Sequence, residues 1–126
     1  MMELRESAED YLEVMLILRE RHGYIRSVDI AEELGVKRPS VSYATKRLRE
    51  NGYITMDEDN FISLTETGLA VATRTYDRHK TLTDFLASLG VDRTIAQEDA
   101  CKLEHDLSED SYQAILKLAG QLKKDT

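Results

Sequence analysis

The chain has 126 residues, 24 acidic and 17 basic side chains, a formal net charge of −7 and 41% hydrophobic residues. That length suits one compact domain or two small ones sharing a core, and the pattern below favours two. No apolar run approaches the roughly 20 residues that span a bilayer, Met1 to Glu6 has no apolar signal region, and a lone cysteine excludes an intrachain disulfide, so the expectation is a cytoplasmic protein with no membrane segment.

A first helix is expected from Ser7 to about His22. Ser7 would cap it, Asp10 completes a capping-box-like pattern, Tyr11, Met15 and Leu18 form an apolar stripe with Leu12 and Leu16 alongside, and Gly23 stops it. Ser27 is expected to cap a second helix over 28–34, Gly35 to make a sharp turn, and Pro39 to open a third helix running through Val41, Ala44 and Leu48 toward Gly52. Ala31 at the crossing, Gly35 four residues later and Val41 six after that have helix-turn-helix spacing, with Ile30, Leu34, Val36, Ala44 and Leu48 as core. Segments 53–56 and 61–64 alternate in polarity around Asp57, Glu58, Asp59 and Asn60, which predicts a hairpin wing.

Net acidity alone argues against nucleic acid, but its distribution argues the other way. Lys37, Arg38, Lys46, Arg47 and Arg49 form a basic island with no acidic residue inside it. A solvated helix face would explain such an island standing alone; inside a helix-turn-helix it is a phosphate-binding footprint. The third helix of a winged helix enters the major groove, so Pro39, Ser40, Ser42, Tyr43, Lys46 and Arg47 are expected to meet bases or phosphates. Ser40, Ser42 and Tyr43 are the base-reading candidates; Lys37, Arg38, Lys46 and Arg47 would position the protein on the backbone. The acidic wing tip is expected to stay off the DNA.

Thr65 opens a long helix with the stripe Leu69, Ala72, Tyr76, Leu82, Phe85, Leu86 and Leu89, ending at Gly90 and carrying His79 within it. Asp92 starts another, with Ile95, Ala96, Ala100, Leu103 and Leu107 facing inward and Cys101, Glu104 and His105 on an adjacent side. Ser108, Glu109 and Asp110 open a last helix striped by Tyr112, Ile115, Leu116, Ala119 and Leu122. Two such helices exceed what a DNA-binding unit needs for its own core, so a homodimer is expected. The fold class is therefore mainly α: a winged helix-turn-helix over 1–68 and an all-α dimerisation and metal-binding domain over 69–126.

Six side chains suit a metal: Asp10 with Glu13, then His79, then Cys101 with Glu104 and His105. Spacings of three and four put each set on one helix face. Singly these residues have bland explanations, a satisfied core histidine or a cysteine filling space. Jointly they form carboxylates and a thiolate that repel when bare and attract around a divalent cation, which makes their meeting depend on metal.

The stretches Ala8 to Glu13, Val28 to Asn51, Arg78-His79 with Phe85-Leu86, and Cys101 to Ser108 resemble metal-dependent repressors of the diphtheria toxin repressor class, in particular the two-domain manganese transport regulator branch. The resemblance covers nearly the whole chain. It implies that Asp10, Glu13, His79, Glu104 and His105 fall on metal-ligand positions of the manganese branch. Cys101 falls on a further ligand position where that branch carries glutamate and the iron-sensing branch cysteine, while the iron branch has methionine in place of Asp10. Thr83 and Gln97 stand where the iron branch has two ancillary ligands, and the sequence stops near Thr126, which implies the form without an SH3-like domain. Such a hybrid site suits Mn(II) or Fe(II), with Co(II) or Zn(II) as thiolate-favoured alternatives. One or two ions per chain remain open.

The function these readings imply is a metal-dependent transcriptional repressor of metal-uptake genes, with the ion as corepressor and a homodimer reading a roughly palindromic double-stranded operator. The alternative is a winged-helix regulator answering to an organic ligand or to thiol oxidation at Cys101. No His-Glu-x-x-His and no nucleophile paired with a base occur, so no enzyme activity is expected.

Overall fold

The computed structural model describes residues 6–124. The polar start read above as lacking a targeting signal lies, apart from Glu6, outside the described residues. The elements are α1 (Glu6–His22), β1 (Ile25–Arg26), α2 (Ser27–Leu34), α3 (Arg38–Glu50), β2 (Ile54–Met56), β3 (Phe61–Leu64), α4 (Glu66–Ser88), α5 (Arg93–Asp106) and α6 (Glu109–Lys124). This is a mainly α chain, a winged helix-turn-helix followed by a helical second part. Its two compact units, 1–74 and 75–126, divide within α4. No described helix is long and apolar enough to cross a membrane.

In the first unit α1 is buried almost all round, through Tyr11, Leu12, Glu13, Val14, Met15, Leu16 and Leu18. Ile25, Ile30, Val41, Leu48, Ile54 and Ile62 complete an apolar core drawn from every element of the helix-turn-helix and the sheet. The turn between α2 and α3 is set by Gly35, whose φ of 67° is left-handed and whose neighbour Val36 donates its N–H to the Ala31 carbonyl at 3.1 Å. Pro39 sits in the first turn of α3, where its missing N–H costs nothing.

The wing carries a feature that the alternating pattern does not contain. β3 pairs antiparallel with β2 on one side and with β1 on the other, Ile25 opposite Ile62 and Arg26 opposite Phe61, giving the order β1-β3-β2. Two residues are too few for a period to register, so β1 exists only through its partner. The acidic hairpin tip has a structural reason: the Asp57 carboxylate accepts the N–H groups of Asp59 and Phe61 at 2.9 and 3.0 Å and closes the turn, with Asn60 at φ 65°.

Several helix ends depart from expectation. Ser7 lies within α1 rather than ahead of it, so it does not cap the helix. Ser27 is the first residue of α2, and Arg26, extended and offering no side-chain cap, precedes it because β1 runs directly into the helix. Thr65, Asp92 and Ser108 do cap: their side-chain oxygens accept the N–H groups of Gly68, Thr94 and Ser111 at 3.1, 3.2 and 3.1 Å.

In the second unit Leu82, Ala96, Ala100 and Tyr112 are the buried apolar side chains, joined by Thr75, Arg78, Thr83 and Glu104. Ile95 and Leu103, expected to face inward, are exposed, as are Leu89, Leu116 and Leu118. The inward face of α5 is Ala96, Ala100 and Glu104, spaced by four, so a carboxylate takes the place expected of a leucine.

Candidate functional site

Four of the six candidate ligands meet in the second unit. α4 presents His79 and α5 presents Cys101, Glu104 and His105. His79 Nδ1 lies 3.1 Å from Glu104 Oε2 and 3.7 Å from Cys101 Sγ, and His105 Nε2 lies 3.2 Å from Glu104 Oε1. One ligand atom each from His79, Cys101 and Glu104 falls within 4.8 Å of the others. Exposure is graded across the group. The side chain of Glu104 is fully buried and that of His105 nearly so, His79 is 22% exposed, and Cys101 stands at the surface.

A carboxylate with no solvent of its own, flanked by an imidazole on each oxygen and backed by a thiol, is an expensive grouping in a low-dielectric interior unless a cation joins it. Nitrogen, sulfur and oxygen donors this close fit a divalent transition ion rather than Mg²⁺ or Ca²⁺, which take oxygen alone. The exposed Cys101 leaves such an ion a way in. Asp10 and Glu13 belong to the first unit, one turn apart on α1, Glu13 buried and Asp10 half-buried. Burial also raises the phenol of their neighbour Tyr11 above its ordinary value.

On α3, Val41, Thr45 and Leu48 are buried at helical spacing and point the rest of the helix outward. Lys37, Arg38, Pro39, Ser40, Ser42, Tyr43, Lys46 and Arg47 are all exposed. Arg47 donates to the Tyr43 hydroxyl at 3.3 Å and lies 5.7 Å from the centre of its ring, while 64% of Tyr43 is exposed. The first turn of α3 has no acidic residue, and the Lys37 carbonyl accepts the N–H groups of Ser40 and Val41 at 3.1 and 3.3 Å, so the positive charge at this helix start is carried by the exposed side chains of Lys37 and Arg38.

Two residues with structural consequences escaped the reading of the sequence. Gly68 packs against the backbone of Tyr53 so closely that an added Cβ would collide with the Tyr53 carbonyl oxygen. A glycine three residues inside a helix start was the available signal. Arg78 is buried on α4 three residues after Thr75 and four before Leu82, both buried, where a long basic side chain demands partners.

This arrangement of a winged helix followed by a helical unit carrying clustered candidate metal ligands is that of metal-responsive DNA-binding regulators. Residues 3–60 match the iron dependent repressor N-terminal DNA-binding domain, and residues 65–126 match the iron dependent repressor metal binding and dimerisation domain. The chain belongs to this family of metal-dependent transcriptional repressors. It is 38% identical over 109 residues to an uncharacterised HTH-type transcriptional regulator of Methanocaldococcus jannaschii, covering 85% of this chain and 87% of that one. It is 37% identical to the transcriptional regulator MntR of Salmonella typhimurium, over 93% of this chain and 74% of the relative. Among solved structures, the manganese regulator SloR superposes with a TM-score of 0.80 at 30% identity over 90% of this chain, and IdeR of T. acidophilum with 0.78 at 29% over 95%. The chain spans about half the length of these two, 53% and 56%.

Proposed function

We propose that this chain is a cytoplasmic repressor whose binding to operator DNA is switched on by Mn(II) or Fe(II), and that it regulates metal uptake. The observation that carries the reading is the convergence of His79, Cys101 and Glu104 within 4.8 Å around a fully buried carboxylate. His79, Cys101, Glu104 and His105 would hold the ion. Asp10 and Glu13 are proposed as further ligands from their spacing and the family resemblance. The ion supplies positive charge that these carboxylates and the thiolate lack among themselves. Metal and operator binding are linked, so by reciprocity DNA tightens metal by the same factor.

In this reading α3 enters the major groove, with Ser40, Ser42 and Tyr43 toward base edges and Lys37, Arg38, Lys46 and Arg47 toward phosphates. Exposed Leu89, Ile95, Leu103, Leu116 and Leu118 give the second unit apolar surface for a second copy, and a two-fold dimer reads a roughly palindromic site with half-sites about 34 Å, or a multiple, apart. The test is DNA binding by metal-stripped protein with each divalent ion restored in turn at fixed salt. Tightening by Mn(II) or Fe(II) is the expected result, and equal affinity with and without metal ends the reading. The exposure of Cys101 favours one second reading, control by thiol oxidation. A peroxide effect on DNA binding by metal-free protein would select it.

A further inference from the structure

Arg78 neighbours His79 on α4 and is 9% exposed. Its guanidinium gathers the ends of two other helices. One terminal nitrogen, Nη1, donates to the backbone carbonyls of Glu104 at 3.1 Å and Leu107 at 2.9 Å, at the C-terminal end of α5. The other, Nη2, donates to the Glu109 carboxylate at 2.7 Å in the first turn of α6, and the guanidinium lies 4.7 Å from the ring centre of Tyr112, also on α6. A buried cation is tolerated only with such partners. The helix C-terminus and the carboxylate supply negative potential and the ring supplies its face.

Glu104 thus faces two ways: its carboxylate lies among His79, Cys101 and His105, and its carbonyl is held by the residue next to His79. We propose that Arg78 is a positioning residue that couples occupancy of the metal centre to the seating of α6. Closing α4 and α5 around an ion sets the distance between Arg78 and the Glu104 carbonyl, and the same planar head group sets where Glu109 and Tyr112 sit. The inference rests on the metal reading above and adds a route by which metal reaches the last helix. A guanidinium suits this task because its donors are fixed in one plane; a lysine ammonium keeps the charge and cannot serve these acceptors together.

The test uses the full chain with Co(II) as probe, reading metal affinity from the thiolate-to-cobalt absorption band and α6 order from hydrogen exchange with and without the ion. In the wild type, Co(II) should bind and slow exchange across 109–122. Arg78→Lys should weaken Co(II) about tenfold or more, the range set by losing a group that orients a ligand. Glu109→Gln alters a side chain that is 61% exposed, so it should leave the fold intact. It should retain Co(II) binding, losing less than the roughly tenfold or more expected of Arg78→Lys, while the protection of α6 loses most of its metal dependence. Protection of α6 that responds to Co(II) equally in wild type and Glu109→Gln would overturn the coupling, as would wild-type binding that leaves α6 unchanged. Absence of Co(II) binding by the wild type would instead remove the metal reading itself.

Discussion

The two units are held together by different physics. Among the described residues the first buries fourteen apolar side chains and only Glu13 and Thr45 as polar ones, whereas the second buries four apolar side chains, two of them alanines, beside Thr75, Arg78, Thr83 and Glu104. The first unit resembles an ordinary core, stabilised by area removed from water. The second has put charge inside and left Leu89, Ile95, Leu103, Leu116 and Leu118 outside. A unit built that way gains further stability from any cation that pairs its buried carboxylate, which is the property a sensor requires.

The largest expected effect attacks the first unit alone. Gly68→Ala forces a methyl group into the Tyr53 carbonyl, and neither backbone can retreat without breaking the Thr65 N–H bond to that same oxygen at 3.1 Å. It should cost about 3 kcal/mol, the upper part of the range for overpacking, seen as a lower urea midpoint with or without metal. A change confined to the metal-loaded protein would contradict the division of labour between the units.

The next effect belongs to the second unit. Removing Glu104 or His79 as alanine should erase the metal response of DNA binding, a coupling of about 1 to 3 kcal/mol, while the metal-free fold measured by circular dichroism persists. If either variant unfolds without metal, the cluster is structural and the reading of the second unit as a sensor loses its basis. Comparable in size is the apolar surface: Leu103→Glu should convert the chain toward monomer in sedimentation, and an unchanged mass would place the dimer contact elsewhere.

Smaller effects sharpen the α3 surface and the site's selectivity. Lys46→Ala should weaken binding to all DNA sequences and lower the salt slope by about one unit, whereas Tyr43→Ala should alter preference between sequences. A specificity change from Lys46→Ala alone would mean that α3 is turned differently in the groove. Cys101→Glu should leave DNA affinity at saturating metal nearly unchanged and raise the response to Mn(II) relative to Co(II), since a carboxylate is the harder donor. No shift in that ratio removes Cys101 from the ligand set.

Much of this was legible in the order of residues because it is local. Helical periodicity, the left-handed Gly35, the Pro39 start and the capping Thr65, Asp92 and Ser108 act within a few residues, and the spacing of Cys101, Glu104 and His105 fixes a shared helix face without any knowledge of the rest. The caps expected at Ser7 and Ser27 failed where the chain around them does something else: Ser7 lies inside α1, and β1 leads straight into α2.

What the tertiary structure decided is what depends on partners distant in sequence. β1 is a strand because Phe61 and Ile62 lie beside it, Gly68 is obligatory because Tyr53 passes over it, and Asp57 is acidic for a turn rather than for a ligand. The inward face of α5 turned on the same distinction: apolarity predicted Ile95 and Leu103 inside, yet α4 brings His79 and Arg78 against that helix, and those two groups hold the buried Glu104 by its carboxylate and its carbonyl. Hydrophobic pattern states which residues prefer to leave water; only the neighbours across the packing interface decide whether a charged one can join them.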